Sequence, residues 1–150
     1  MTLHEWADQH RDDLRQETPR AAAIRALLQV ADRELRDAES VWSDDGRLEH
    51  AFAACLAVAA LALAASGYRV RQGASAHHYL LVESLHHTLK LTPAEVKELQ
   101  DYRKKRSRSM YEQVEVVTKT EADAALTAAQ QLRDRSAMWL AQEHPDLSGG

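Results

Sequence analysis

The stretch Ala51-Phe-Ala-Ala-Cys-Leu-Ala-Val-Ala-Ala-Leu-Ala-Leu-Ala-Ala65 is an unbroken run of fifteen apolar residues. Ser43 or Asp44 can cap the helix that contains it, and Ser66-Gly67 supply a stop after it. A helix that crosses a bilayer needs about 20 apolar residues, so this shorter, alanine-rich run favours burial in a protein core. Because alanine lets neighbouring helices approach closely, the stretch predicts the central helix of a bundle.

Helical patterns lie on both sides of this central stretch. An amphipathic stripe predicts a helix from residue 20 to about residue 41, and a shorter helix of mixed pattern covers residues 75–89. Thr92, Pro93 and Glu95 form a capping-box start for the next helix. The last helix is predicted from residue 120 to about residue 143. Its predicted buried residues are Leu126, Ala129, Leu132, Met138, Trp139 and Leu140.

The fold class that follows is all-α, an antiparallel helical bundle of four long helices plus a short helix over residues 18–147. Residues 1–17 form a predicted N-terminal helical extension, in which Leu3, Trp6 and Leu14 share the stripe of a helix over residues 3–15. The glycine-bounded segment 67–73 is predicted to be a loop, residues 112–119 a break between helices, and residues 147–150 a disorder-like end.

Composition limits the kinds of partner and compartment. The chain has 150 residues and a formal net charge of −4, which argues against a protein that coats nucleic acid non-specifically. Cys55 is the lone cysteine and lies in the apolar run, so we expect an inert core thiol and a reducing compartment. The first residues have neither a basic nor an apolar region of a secretory signal, and we predict a cytoplasmic protein that does not bind membranes.

A basic cluster interrupts this slightly acidic sequence. Arg103, Lys104, Lys105, Arg106 and Arg108 occupy five of six consecutive positions. On a helix, Arg103 and Arg106 fall within the arc that also carries the apolar residues Val96, Leu99, Tyr102 and Met110. An arginine there fits a buried salt bridge, a polar interface, an anion-binding cleft, or a side chain that snorkels from the rim of the core.

Metal and cofactor motifs are not apparent in the sequence. The pairs His77-His78 and His86-His87 lack the spacing of three or four that suits a zinc site on one helix. Glu83-Ser-Leu-His86 matches one half of a di-iron motif, but the chain has no second copy. We therefore predict no metal site and no cofactor, with the histidines as capping or surface residues.

The order of several short motifs resembles the HEPN domain, a helical superfamily of higher eukaryotes and prokaryotes. Ala65-Ser-Gly-Tyr-Arg-Val70 is similar to the end of the second helix in one bacterial HEPN group, and His77-His78 follow at a shared spacing. Tyr102-Arg-Lys-Lys-Arg-Ser-Arg-Ser-Met-Tyr-Glu112 resembles its Arg-x-x-Arg-Asn-x-x-x-Tyr-Asp segment, and Trp139-Leu140 and His144-Pro-Asp-Leu147 resemble its ending. The resemblance implies a helical homodimer and a small nucleotidyltransferase as the partner.

Ribonuclease members of this superfamily carry an arginine, a polar residue and a histidine four to six positions after the arginine, and two copies meet across the dimer. Arg106 matches the arginine and Ser107 the polar residue, whereas Tyr111 stands where the histidine belongs. Tyrosine, with an ordinary pKa near 10, is a poor general base at neutral pH. The candidate catalytic residues are thus Arg106 and Tyr111, in a degenerate form of the motif.

Two functions follow from the resemblance. The favoured one is a non-catalytic or weakly active dimeric module, in a toxin–antitoxin or defence context, that binds a protein partner or a nucleotide- or RNA-like anion. Its predicted binding residues are Tyr102, Arg103, Arg106, Ser107 and Tyr111. The alternative is a metal-independent ribonuclease in which Arg103, Arg106 and Tyr111 suffice for cleavage.

Overall fold

Helices dominate the structure, a computed structural model that describes residues 1–111 and 117–148, with side chains described for 1–107 and 117–148. The elements in chain order are α1 (Leu3–Gln9), β1 (Leu14–Gln16), α2 (Ala21–Ser40), α3 (Asp44–Ala65), β2 (Tyr68–Val70), α4 (His77–Thr88), α5 (Pro93–Tyr111), α6 (Lys119–Glu143) and α7 (Pro145–Ser148). This confirms the predicted all-α bundle, with four long helices and the short α4 between the second and third of them.

Helix α3 is the centre of the bundle, as its sequence predicts. It packs against α2, α4, α5 and α6, and residues along its whole length are buried, from Leu48 to Ala65. By length and composition alone it could span a membrane, yet 67% of its most apolar 18-residue window is buried inside the protein. Its small alanines let the neighbouring helices surround it closely.

Local capping fixes where three of the four long helices begin, since α2 has no side-chain cap. The Ser43 hydroxyl accepts a hydrogen bond from the Gly46 N–H at 3.1 Å. Thr92 and Glu95 exchange two hydrogen bonds, 3.2 Å and 2.8 Å long, that form the predicted capping box of α5. Thr118 forms a second capping box at the start of α6. Because these caps satisfy backbone donors of the first turn, they define the register of each helix.

The N-terminal segment differs from the predicted continuous helix over residues 3–15. Helix α1 ends at Gln9, and β1 then pairs antiparallel with β2, with Leu14 opposite Val70. The predicted loop over 67–73 therefore contains a strand. Leu14 and Val70 are both buried in the main core together with Trp6, and burial of these side chains outweighs the weak helical stripe.

Two further expectations about the C-terminal region are wrong. Met138 is 63% exposed rather than buried. Leu147, expected to begin a disorder-like end, lies in α7 and is buried in a second cluster with Ile24, Leu61 and Leu140. The predicted break over 112–119 lies mostly outside the described residues, and its described end, Thr118, caps α6.

Candidate functional site

The basic residues of α5 divide between two sides of the helix. Lys105 forms an ion pair with Glu121 of α6, with Nζ 3.1 Å from Oε2, and its side chain is 24% exposed. Lys104 is exposed on a groove between α4 and α5. Arg108 lies within α5, but its side chain is outside the described set. The cluster that the sequence suggested is therefore not one cationic surface, because Lys105 links α5 to α6.

Arg103 is held in place by two partners. Its Nε donates a hydrogen bond to Gln100 Oε1 at 2.7 Å, and its guanidinium carbon lies 5.7 Å from the centre of the Tyr79 ring. The same Gln100 is buried and donates from Nε2 to the backbone oxygen of Tyr79 at 3.1 Å. Arg103 is thus oriented by Tyr79 of α4, both directly and through Gln100. The terminal nitrogens of Arg103 have no hydrogen bond to any described protein group.

Arg106 has an unusual environment. In the part of the chain that the structure describes, its Nε is the buried side-chain polar atom without a hydrogen-bond partner. Burial of an unsatisfied donor costs about 1–3 kcal/mol. Such a donor is suited to a ligand or partner atom that accepts its hydrogen bond.

His78 is a neighbour of Arg106 that the sequence analysis did not assign to the site. Burial, the charge of Arg106, and then His77 and Arg103 lower the pKa of His78 below its ordinary value of 6.5. Its ring lies edge-on to Phe52, with the ring centres 6.4 Å apart and an angle of 71° between the planes. Arg103, Arg106 and His78 therefore form one electrostatic cluster, called here the arginine–histidine cluster. The His77-His78 pair was a visible signal in the sequence, but only the packing of α4 on α5 brings His78 close to the two arginines.

The other predicted site residues are less central. Tyr102 packs against the core, and its hydroxyl donates to Glu98 Oε1 at 2.7 Å. Burial first, and then Glu98, raises the pKa of Tyr102. Ser107 is exposed. Tyr111 is the last residue of α5, and its side chain lies outside the described set.

A groove of about 530 Å³ opens beside Arg103, between α1, α4 and α5. Trp6 lies in it, packed at 5.3 Å from the His87 ring. The groove is lined by Trp6, Tyr79, Glu83, His86, His87, Pro93, Val96, Lys97, Gln100, Asp101, Arg103 and Lys104. Aromatic and apolar surface therefore lies next to fixed cationic groups.

The charges of the groove are not balanced. Asp101 pairs with Lys97 at 2.9 Å, and Glu83 accepts a hydrogen bond from the Tyr79 hydroxyl at 3.0 Å. Burial, and then His86 and Lys90, lower the pKa of His87. The three cations of the lining (Lys97, Arg103 and Lys104) outnumber its two carboxylates (Glu83 and Asp101), so the groove offers the guanidinium of Arg103 and the ammonium of Lys104 to an anion.

Cys55 is not part of this chemistry, and His86 has a structural role. Burial raises the pKa of Cys55 to about 12, which fits the predicted inert core thiol. The His86 ring nitrogen Nδ1 lies 2.7 Å from the Leu91 carbonyl oxygen, a structural hydrogen bond that closes the α4–α5 turn. Within the described residues, neither histidine pair belongs to a group of three metal-ligating side chains.

Comparisons with protein-family models, curated proteins and solved structures found no match to the chain. The resemblance to the HEPN superfamily therefore rests on the sequence motifs alone and stays a prediction.

Proposed function

We propose that the protein is a HEPN-like helical module that binds a nucleotide- or RNA-like anion at the arginine–histidine cluster. The observation that carries this proposal is the buried, unpartnered Nε of Arg106. A phosphate oxygen accepts hydrogen bonds from guanidinium groups with good geometry, often in pairs. A bound phosphate would satisfy this donor and gain a charge-assisted hydrogen bond.

Arg103 and the groove support the same kind of ligand. Arg103 is already oriented by Gln100 and Tyr79, so little side-chain freedom is lost when it binds an anion. The adjacent groove offers the exposed ring of Tyr79, on which a nucleobase can pack, while Trp6 lies at the groove with only 7% of its surface exposed. A phosphate at the cluster and a base in the groove would together use both parts of the site.

Assembly is the second part of the proposal. Arg106 lies within the mostly apolar arc of α5, and a polar, partly hydrated interface between two copies accommodates an arginine there better than a monomer core does. We therefore expect a two-fold homodimer with α5 at or near the interface, and a nucleotidyltransferase as the protein partner. Light scattering at a protein concentration of tens of micromolar tests the dimer. A monomer would contradict the proposed assembly but not the proposed anion binding.

A specific observation also favours the second candidate, a metal-independent ribonuclease. The lowered pKa of His78 favours the neutral ring, the form in which histidine can accept a proton. Arg106 would then stabilise the charge that develops on the phosphorus oxygens. In this second function His78 would act as the proton carrier in place of Tyr111.

The binding test compares Arg106→Ala with the wild type, using fluorescence anisotropy of a labelled single-stranded RNA pool. We expect affinity to fall at least about tenfold, because a charge-assisted hydrogen bond contributes about 1.5–3 kcal/mol. Stability should hold or rise, because the unsatisfied Nε is removed. Arg25→Ala, which removes an exposed arginine of α2, is the matched control. If the two variants bind RNA equally well, Arg106 is only a rim residue and the proposal fails.

Cleavage is tested separately, by incubating total RNA with the protein in the presence and absence of EDTA. The favoured function predicts little or no cleavage by the native chain and gain of activity in Tyr111→His. Robust cleavage that EDTA does not inhibit, and that both Arg106→Ala and His78→Gln abolish, would instead establish the ribonuclease.

A further inference from the structure

A second group of side chains lies on the α2–α3 surface, away from α5. Glu34 and Asp37 belong to α2, and His50 belongs to α3. A carboxylate oxygen from each acid and a ring nitrogen of His50 all lie within 4.8 Å of one another. We propose that these three residues form a binding site for a divalent transition-metal ion of the zinc type, a site independent of the proposed anion-binding function.

The geometry needs small side-chain adjustments to take such an ion. Zinc binds histidine nitrogen and carboxylate oxygen at about 2.0–2.2 Å, so its ligand atoms must lie about 3–4 Å apart. His50 Nδ1 and Glu34 Oε2 are 2.7 Å apart, which is close enough to share a proton. Replacement of that proton by the metal ion, with rotation of Asp37 toward it, completes three protein ligands and leaves further positions for water.

A simple salt bridge accounts for only part of this arrangement. Glu34 has partners on both oxygens, since Arg33 lies 3.3 Å from Oε1 and His50 lies 2.7 Å from Oε2. The Asp37 carboxylate has no hydrogen bond or ion pair with any described side chain, although it lies beside Glu34. Two neighbouring carboxylates repel each other, and a shared cation relieves that repulsion.

The frame around the three residues is rigid. Ala38 of α2 and Leu48 and Ala51 of α3 are fully buried where the two helices pack. Arg47 adds a direct link, since its Nε donates to the Ala38 carbonyl oxygen at 3.0 Å. The Glu34 side chain is 16% exposed and that of His50 is 35% exposed, so an ion can enter from solvent without the helices separating.

The donor set selects the class of ion. Magnesium and calcium prefer oxygen ligands alone, whereas imidazole with carboxylates suits zinc and related transition metals. The site has one nitrogen and two carboxylates as donors. We therefore expect zinc to bind and magnesium not to bind at comparable concentrations.

Calorimetric titration of the full chain with zinc chloride tests the proposal. We expect one tight equivalent, and a loss of at least about tenfold in affinity for Asp37→Asn, in line with removal of a ligand. Zinc should also raise the melting temperature of the wild type, because it binds the folded state and links two helices. Asp37→Asn separates a zinc site from a simple Glu34–His50 salt bridge. If the two residues form only a salt bridge, this change should not affect zinc binding.

Two controls and a second metal make the outcome decisive. Asp12→Asn removes an exposed aspartate elsewhere, and His77→Gln/His78→Gln removes a histidine pair outside the proposed zinc site. Both controls should keep the tight equivalent. Loss of binding in the histidine control, equal affinity of Asp37→Asn and wild type, or equal binding of magnesium chloride would each overturn the proposal.

Discussion

Single side chains decide most of what the candidate site can do. The sequence indicated Arg106 because a guanidinium lies within an apolar arc of α5, and the structure adds that its Nε is buried without a described partner. It also brings His78 of α4 into the field of the same arginine. The motif itself lacks a proton carrier, and His78 is a candidate for that role on another helix.

His78 predicts how stability depends on pH. Its pKa is lowered in the folded protein, so below about pH 6.5, the ordinary value for histidine, the unfolded chain binds the proton more readily. The stabilisation by neutral His78 is therefore complete above that pH and is lost as the pH falls through the lowered, folded-state value. His78→Gln should lessen the loss of unfolding free energy between pH 7.5 and 5, as measured by urea denaturation.

His87 provides an internal comparison, because its pKa is lowered in the same direction. His87→Gln should also reduce the acid sensitivity, and the double variant should reduce it further. An acid slope in His78→Gln identical to that of the wild type would show that the pKa of this ring is not lowered in the folded protein.

At the scale of elements, the sequence was reliable where a local rule sets a boundary. The Thr92–Glu95 box begins α5 as predicted, and Glu95 also lies 3.3 Å from Arg135 of α6. The strands β1 and β2 were not predicted, because each is three residues long and their pairing joins distant parts of the chain. Period-two patterns this short carry almost no signal, so the pairing depends on the tertiary burial of Leu14 and Val70.

Removal of the α5 cap has a defined expected cost. Thr92→Ala should lower the free energy of unfolding by about 1 kcal/mol, because the hydroxyl no longer accepts the Glu95 N–H. Thr127→Ala is the matched control, since this exposed threonine lies inside α6, where alanine favours the helix. Chemical denaturation measures both changes, and equal stability of the two variants would contradict the role of the cap.

At the scale of the whole molecule, the alanine-rich α3 is the feature that the sequence predicted best. Continuous apolarity over one helix needs burial on all sides, and α2, α4, α5 and α6 provide it. The candidate site was predicted less well, because its geometry depends on which residues of α4 face α5. The zinc-type site was not predicted at all, since Glu34 and His50 are far apart in sequence and share no motif.

The close packing of α3 predicts that a larger side chain on its buried face lowers the stability of the protein. Ala59 is fully buried, so Ala59→Leu should destabilise the protein by about 1–3 kcal/mol through overpacking. Ala124→Leu, at an exposed position of α6, should have little effect on thermal unfolding. If Ala59→Leu unfolds at the same temperature as the wild type, the packing around α3 has room for a larger side chain.

The pairing of Leu14–Gln16 with Tyr68–Val70 also has a consequence for the order of events on the ribosome. The N-terminal segment is synthesised first, yet its strand partner emerges only after the whole of α3 has been translated. Trp6 can form its contact with the His87 ring only after α4 has also been translated. During synthesis, Trp6 and Leu14 therefore lack part of their core partners until α4 has left the exit tunnel.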